Sequence, residues 1–108
     1  EPMKLLLTIR GLLFLISTNS FAITCNQYEA QIIVDVESIE TINNGCLIKA
    51  VKSFTHYSGH IFCPLLIEEL QQGKILLTGA QCDQVNLTRT ISGIAVKDLS
   101  EQYIKIER

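Results

Sequence analysis

Four cysteines, two histidines and a serine between the histidines are the side chains of this chain best suited to chemistry. The cysteines stand at Cys25, Cys46, Cys63 and Cys82, at intervals of 21, 17 and 19 residues. A zinc cluster wants close pairs of the Cys-x-x-Cys kind, and a catalytic thiolate must be unpaired and activated. An even count of cysteines in a small exported domain reads instead as disulfides, in one of three pairings. His56 and His60 are four apart, a metal-pair spacing only on a helix. Gly59 and its turn-like neighbours argue against a helix there, and no third ligand is near. Ser58 has histidines on both sides but sits in no Gly-x-Ser-x-Gly elbow. The expectation is no enzyme, no metal and no cofactor.

The stretch Thr55, His56, Tyr57, Ser58 and His60 suits recognition better. Tyr and His rings stack on sugar faces, and Ser and Thr hydroxyls bond sugar hydroxyls, as polar anchors do in shallow sites. The stretch reads as a second hairpin tip or an exposed loop. A merely solvated tip accounts for the same residues. The carboxylates Glu29, Asp35, Glu37 and Glu40 read as an exposed strand face, and Glu68-Glu69 as the wet side of a helix.

The elements that must carry these residues are mostly strands. Tyr28, Ala30, Ile32, Val34 and Val36 alternate with Glu29, Gln31, Asp35 and Glu37, broken only by Ile33; that is a half-buried strand over 28–37. Asn43-Asn44-Gly45 is a turn of residues that accept positive φ. Cys46 to Phe54 then forms the returning arm of a hairpin, and Phe62-Cys63 comes back to the sheet. Pro64 suits a first helical turn, Leu65, Leu66, Ile67 and Leu70 form an apolar side, and Gly73 stops the helix. Such a helix of about nine residues is marginal without packing. Lys74–Gly79 is a covered strand, Asp83–Leu87 a loop, Thr90–Val96 a strand, Asp98–Ser100 a turn and Tyr103–Ile106 a last strand. Gly93 and Ala95 mark a close approach by another element, the helix being the candidate. The fold class is mainly β with one short helix, a small OB-like antiparallel barrel.

The N-terminus has the layout of a secretory signal peptide. Met3-Lys4 starts it, with Glu1-Pro2 as a remnant ahead; Leu5 to Ile16 is apolar apart from Thr8, Arg10 and Gly11, and Ser20-Phe21-Ala22 is a cleavage site. Arg10 interrupts the apolar run too early for a membrane anchor, which needs about 20 continuous apolar residues. Thr24 before Cys25 is a poor lipobox residue. Residues 1–22 are thus a leader and residues 23–108 a single domain, periplasmic or secreted, without membrane insertion after cleavage. Taking Lys4, Arg10 and Glu1 from nine basic and eleven acidic residues leaves seven and ten, a charge of −3. With no basic surplus, nucleic acid is not the partner. A core this thin wants staples.

Strand order, the cysteine ahead of the first strand, the glycine-ended helix feeding a strand, and Cys46-Leu47-Ile48-Lys49-Ala50-Val51-Lys52-Ser53 with Cys63 together carry a resemblance. From Cys25 to about Lys97 the chain resembles the B subunits of pentameric bacterial AB-type toxins. The resemblance implies Cys25–Cys82, as in cholera- and Shiga-like subunits, and Cys46–Cys63, as in the subtilase-cytotoxin and pertussis-type hairpin. A tip near Thr55 would bring Cys46 and Cys63 together. It further implies a non-catalytic subunit binding host glycans as a homo-oligomeric ring, a pentamer beside a catalytic A-type subunit. The departures are a shorter helix and an extra C-terminal strand, and no glycan-binding residue carries over from the family by alignment. The alternative is a monomeric periplasmic binding or inhibitor protein on the same barrel, with a protein or glycan ligand, serving envelope stress or hydrolase inhibition.

Overall fold

The computed structural model describes residues 24–108. The expected leader over residues 1–22, with its cleavage site, lies outside the described residues. Five strands and two helices follow one another: β1 (Gln27–Ile42), β2 (Gly45–Gly59), the single turn α1 (Ile67–Leu70), β3 (Ile75–Leu77), α2 (Gly79–Thr88), β4 (Thr90–Asp98) and β5 (Ile104–Glu107). The strands close into a barrel in the order β1-β2-β3-β5-β4 and back to β1. All pairs are antiparallel except β3 with β5. This is the OB-like barrel that the strand pattern called for, mainly β and stapled by two disulfides.

The long β1–β2 hairpin is the frame. β1 pairs with β2 from Ala30 to Ile42 and with β4 from Gln27 to Asp35. One strand therefore belongs to both halves of the barrel, and it must bend. Register shifts with β2 fall between Ile33 and Val34 and at three steps from Asp35 to Ile39. Each extra residue curves the strand and raises its twist. The inward residues Ala30, Ile32, Val34 and Val36 are all buried, as alternation requires. Ile48, Ile75, Leu77, Ile91, Ala95, Ile104 and Ile106 complete the barrel interior, with Val85 of α2 and Leu65 and Leu70 from the β2–β3 connection packed into it.

Asn43 and Asn44 make the hairpin turn, but neither has positive φ. Gly45 is needed for a different reason: a Cβ there would collide with the Leu77 carbonyl oxygen of β3. Gly93 does hold a glycine-type φ of 151°. A Cβ on it would strike the Glu107 carbonyl and stand 2.8 Å from Ile106 Cγ2. The close approach that Gly93 and Ala95 announced is therefore made by β5 rather than by a helix.

Several expected elements moved. β2 does not turn near Thr55; it runs on to Gly59, because Thr55 is absorbed as the extra residue between the pairs Val34–Phe54 and Ile33–His56. Phe62-Cys63 is no strand; beside it only Pro64 bridges, to Glu29. The helix expected from Pro64 shrinks to one turn. Leu66 is extended (φ −80°, ψ 153°), and Leu65 and Leu70 must both reach the core while Leu66 stays 47% exposed. The main helix lies after β3, over the stretch expected to be strand end and loop. It is started by a reciprocal cap: Thr78 Oγ1 accepts from Gln81 N–H at 3.2 Å, and Gln81 Oε1 accepts from Thr78 N–H at 2.9 Å. β5 is no appendage, since it closes the barrel between β3 and β4.

The disulfides correct the pairing that the toxin resemblance implied. They join Cys25 to Cys63 and Cys46 to Cys82, with Cα–Cα distances of 5.9 and 6.1 Å. Strand continuity is the reason. With no turn at Thr55, Cys46 lies at the start of β2 and Cys63 past its far end, about 40 Å apart by strand rise. Cys46 faces Leu77 across the ladder, and β3 leads directly into the first turn of α2, where Cys82 sits. Glu29 N–H donates to Cys63 O at 3.0 Å, which brings Cys63 to the start of β1 beside Cys25. Two formed disulfides suit an oxidising, exported location. No helix among the described residues is long and apolar enough to cross a membrane.

Candidate functional site

Inward side chains of β1 build the core, so its outward side chains are free to form a surface. β1 lies between β2 and β4, and the ladders fix which residues stand side by side. Ser58, Gln31 and Ile94 form one row, and His56, Ile33 and Ser92 the next. Ser53, Asp35 and Thr90 close the face at one end; there Ser53 Oγ donates to Asp35 Oδ2 at 3.1 Å and Thr90 Oγ1 to Asp35 Oδ1 at 3.0 Å. At the other end the His60 N–H donates to Glu29 O at 3.0 Å. From Glu29 to Asp35 the face is about 20 Å long and about 10 Å wide by strand rise and spacing.

Two hollows share Gln31 on this face. One, of about 310 Å³, is lined by Glu29, Gln31, Ser58, His60 and Ile94 among others. The other, of about 520 Å³, includes Gln31, Ile33, His56, Gln84, Ser92 and Arg108. Ile33 and Ile94 are each 36% exposed, an apolar floor between amides, hydroxyls and imidazoles. Such a mixture offers CH surface to the flat side of a sugar ring and hydrogen-bond partners to its edge.

The five residues singled out in the sequence divide. His56, Ser58 and His60 are exposed and line these hollows. Tyr57 is turned inward: its hydroxyl donates to Leu65 O at 2.6 Å and its ring packs against the core. It tethers the chain beyond β2 rather than facing a ligand. Thr55 is exposed but is the bulged residue, lining neither hollow. His60 has a second task. Its Nδ1 accepts from Phe62 N–H and Cys63 N–H, both at 3.2 Å, which leaves Nε2 for other partners. Among the described residues, no hydrogen bond joins Ser58 to either histidine, and no group of three or more His, Cys, Asp and Glu is arranged to hold a metal ion.

Sequence reasoning missed Gln31, Ile33, Ser92 and Ile94. The signal was present in β1: Ile33 was the one break in alternation, an aliphatic residue on the polar side. A separate hollow of about 550 Å³ lies at the other end of the β1–β2 hairpin, lined by Ile42, Asn43, Asn44, Leu76, Gln81 and Ile106 among others. Its surface is mostly apolar, from Ile42, Leu76 and Ile106, with Lys105 and Glu107 also in its lining; Gln81 there is already used, its Nε2 donating to Ile106 O at 2.8 Å.

Compared with known protein families, curated proteins and solved structures, the chain matches none of them.

Proposed function

We propose that the chain is an exported, periplasmic or secreted, non-catalytic binding subunit that recognises glycans on the outward face of β2, β1 and β4. The observation that supports this is the row arrangement: His56 and Ser58 flank Gln31 and Ile33 on one side, with Ser92 and Ile94 on the other. The stapled barrel supplies rigidity, so little ordering is needed on binding. A ring of such subunits beside a catalytic partner would present several copies of a weak site at once, and avidity would supply what one shallow hollow lacks.

A glycan array probed with the mature domain tests the ligand class. Gln31→Ala with His56→Ala should weaken any bound glycan at least tenfold while leaving the melting temperature unchanged, since both side chains are exposed. A silent array, or binding that survives the double substitution, would overturn this reading. Light scattering after size exclusion tests the ring.

A second reading is a monomeric periplasmic binding or inhibitor protein. The apolar 550 Å³ hollow beside the β1–β2 turn favours it, because binding in OB folds often uses the loop between the first two strands. A monomer whose ligand is displaced by Leu76→Lys rather than by Gln31→Ala would select it.

A further inference from the structure

Asn44 is followed by Gly45, and no other asparagine of the chain precedes a glycine. Asparagine is among the chemically labile side chains. In this pair a backbone nitrogen stands next to a side-chain amide carbon, with no Cβ on the glycine to hinder their approach. The tertiary structure makes the glycine obligatory, since a Cβ at position 45 would collide with the Leu77 carbonyl oxygen. It also leaves the asparagine open. Asn43 and Asn44 form the exposed turn between β1 and β2, outside the core. Side-chain hydrogen bonds around the adjoining hollow are held by Thr78 and Gln81, and among the described residues none engages the Asn44 carboxamide.

We propose that Asn44 is a site of self-modification, converting to aspartate and isoaspartate with water as the only co-reactant. The Gly45 nitrogen gives its proton to solvent base and attacks Asn44 Cγ. The carboxamide C–N bond breaks, ammonia leaves, and a cyclic succinimide forms. Water then opens the ring at either carbonyl. One opening gives aspartate; the other routes the backbone through the side chain and lengthens it by a carbon. Gly45 pairs with Ile42 across the turn, so this rung must open first, and a hairpin end opens locally without global unfolding. The fold survives the change, because Cys46, the next residue, is tied to Cys82 and neither turn asparagine belongs to the core. What changes is the rim of the hollow of about 550 Å³. A carboxylate joins it where Glu107 already stands, while the Lys105 ammonium is engaged by Glu101 at 2.9 Å. The charge of residues 23–108 becomes more negative by one, from −3.

The readout is mass, so the result does not depend on glycan binding. The purified protein is held in mildly alkaline buffer, which favours loss of the amide proton, and is sampled over time. A short peptide spanning Ile42 to Cys46 is sampled beside it as a reference. The wild type should gain about 1 Da at position 44 by peptide mapping, elute later from an anion exchanger, and accept label from an isoaspartate-specific methyltransferase. Its aspartate product should co-elute with Asn44→Asp. Asn44→Ser should show no gain and Asn43→Ser the wild-type gain, with far-ultraviolet circular dichroism unchanged throughout. No gain at position 44 while the peptide converts completely, a gain that needs urea, or a gain mapped mainly to another asparagine would each overturn the proposal.

Discussion

Removing the two disulfides one at a time should have unequal effects, although their loops are nearly equal. The separations are 38 residues for Cys25–Cys63 and 36 for Cys46–Cys82. Loop-closure entropy alone assigns about 4 kcal/mol to each. Burial separates them. Cys46 and Cys82 are 1% and 9% exposed and belong to the core, whereas Cys25 and Cys63 are only half-buried. Cys46→Ala with Cys82→Ala therefore adds a cavity to the lost cross-link, about 1–2 kcal/mol more. Against a total stability of about 5–15 kcal/mol, that variant should be near the edge of folding. Cys25→Ala with Cys63→Ala should stay folded but melt roughly 15–30 °C lower. Urea titration followed by circular dichroism, with the slope compared across variants, measures both. Equal losses, the reverse order, or a loss below about 1 kcal/mol in either would refute this reasoning. The closed loops interlace over residues 46–63, so each remaining cross-link shortens the loop that the other closes, and the quadruple variant should lose more than the sum of the two.

Three further outcomes follow from single residues. Gly93→Ala should destabilise by about 1–3 kcal/mol in the same titration, since the new Cβ meets the Glu107 backbone at a φ that side chains rarely adopt. Hydrogen bonds from the Ser100 backbone and hydroxyl, then from Gln27, hold the Asp98 carboxyl below its ordinary value. The stability it adds is thus present above the ordinary carboxylate range and is lost as pH falls through the lowered value. Glu101 holds the Lys105 ammonium above its ordinary value, so that contribution is present below the ordinary lysine value and is lost as pH rises through the raised one. A two-dimensional NMR titration should show the Ser100 amide moving in the acid limb and Lys105 in the alkaline limb; movement at neutral pH would contradict both.

The legible parts of the fold were the local ones. Alternation in β1 named the buried residues correctly from Ala30 to Val36, because period two depends only on the strand itself. The Asn43-Asn44-Gly45 turn was placed correctly but for the wrong reason, since Gly45 makes room for β3, the strand paired beside β2 there. α2 was overlooked because Gly79 to Thr88 carries few strong helix formers and only two buried residues, Cys82 and Val85. Its mark was the Thr78-x-x-Gln81 capping pattern. The candidate site was half legible: His56, Ser58 and His60 came from their chemistry, while Gln31, Ile33, Ser92 and Ile94 acquire meaning only when three strands lie in register.

By itself the sequence determined that this chain would be a small β-rich domain with its cysteines available for cross-linking, because alternation, turn residues and cysteine count are properties of short stretches. Tertiary structure alone decided which cysteine meets which and which side chains share the outer face. Both depend on β2 continuing past Thr55 to Gly59, and that continuation is stabilised by pairing with β1, about 23 to 29 residues earlier in the chain. A bulge of one residue resets the alternation and extends the hairpin, and only the partner strand can select it.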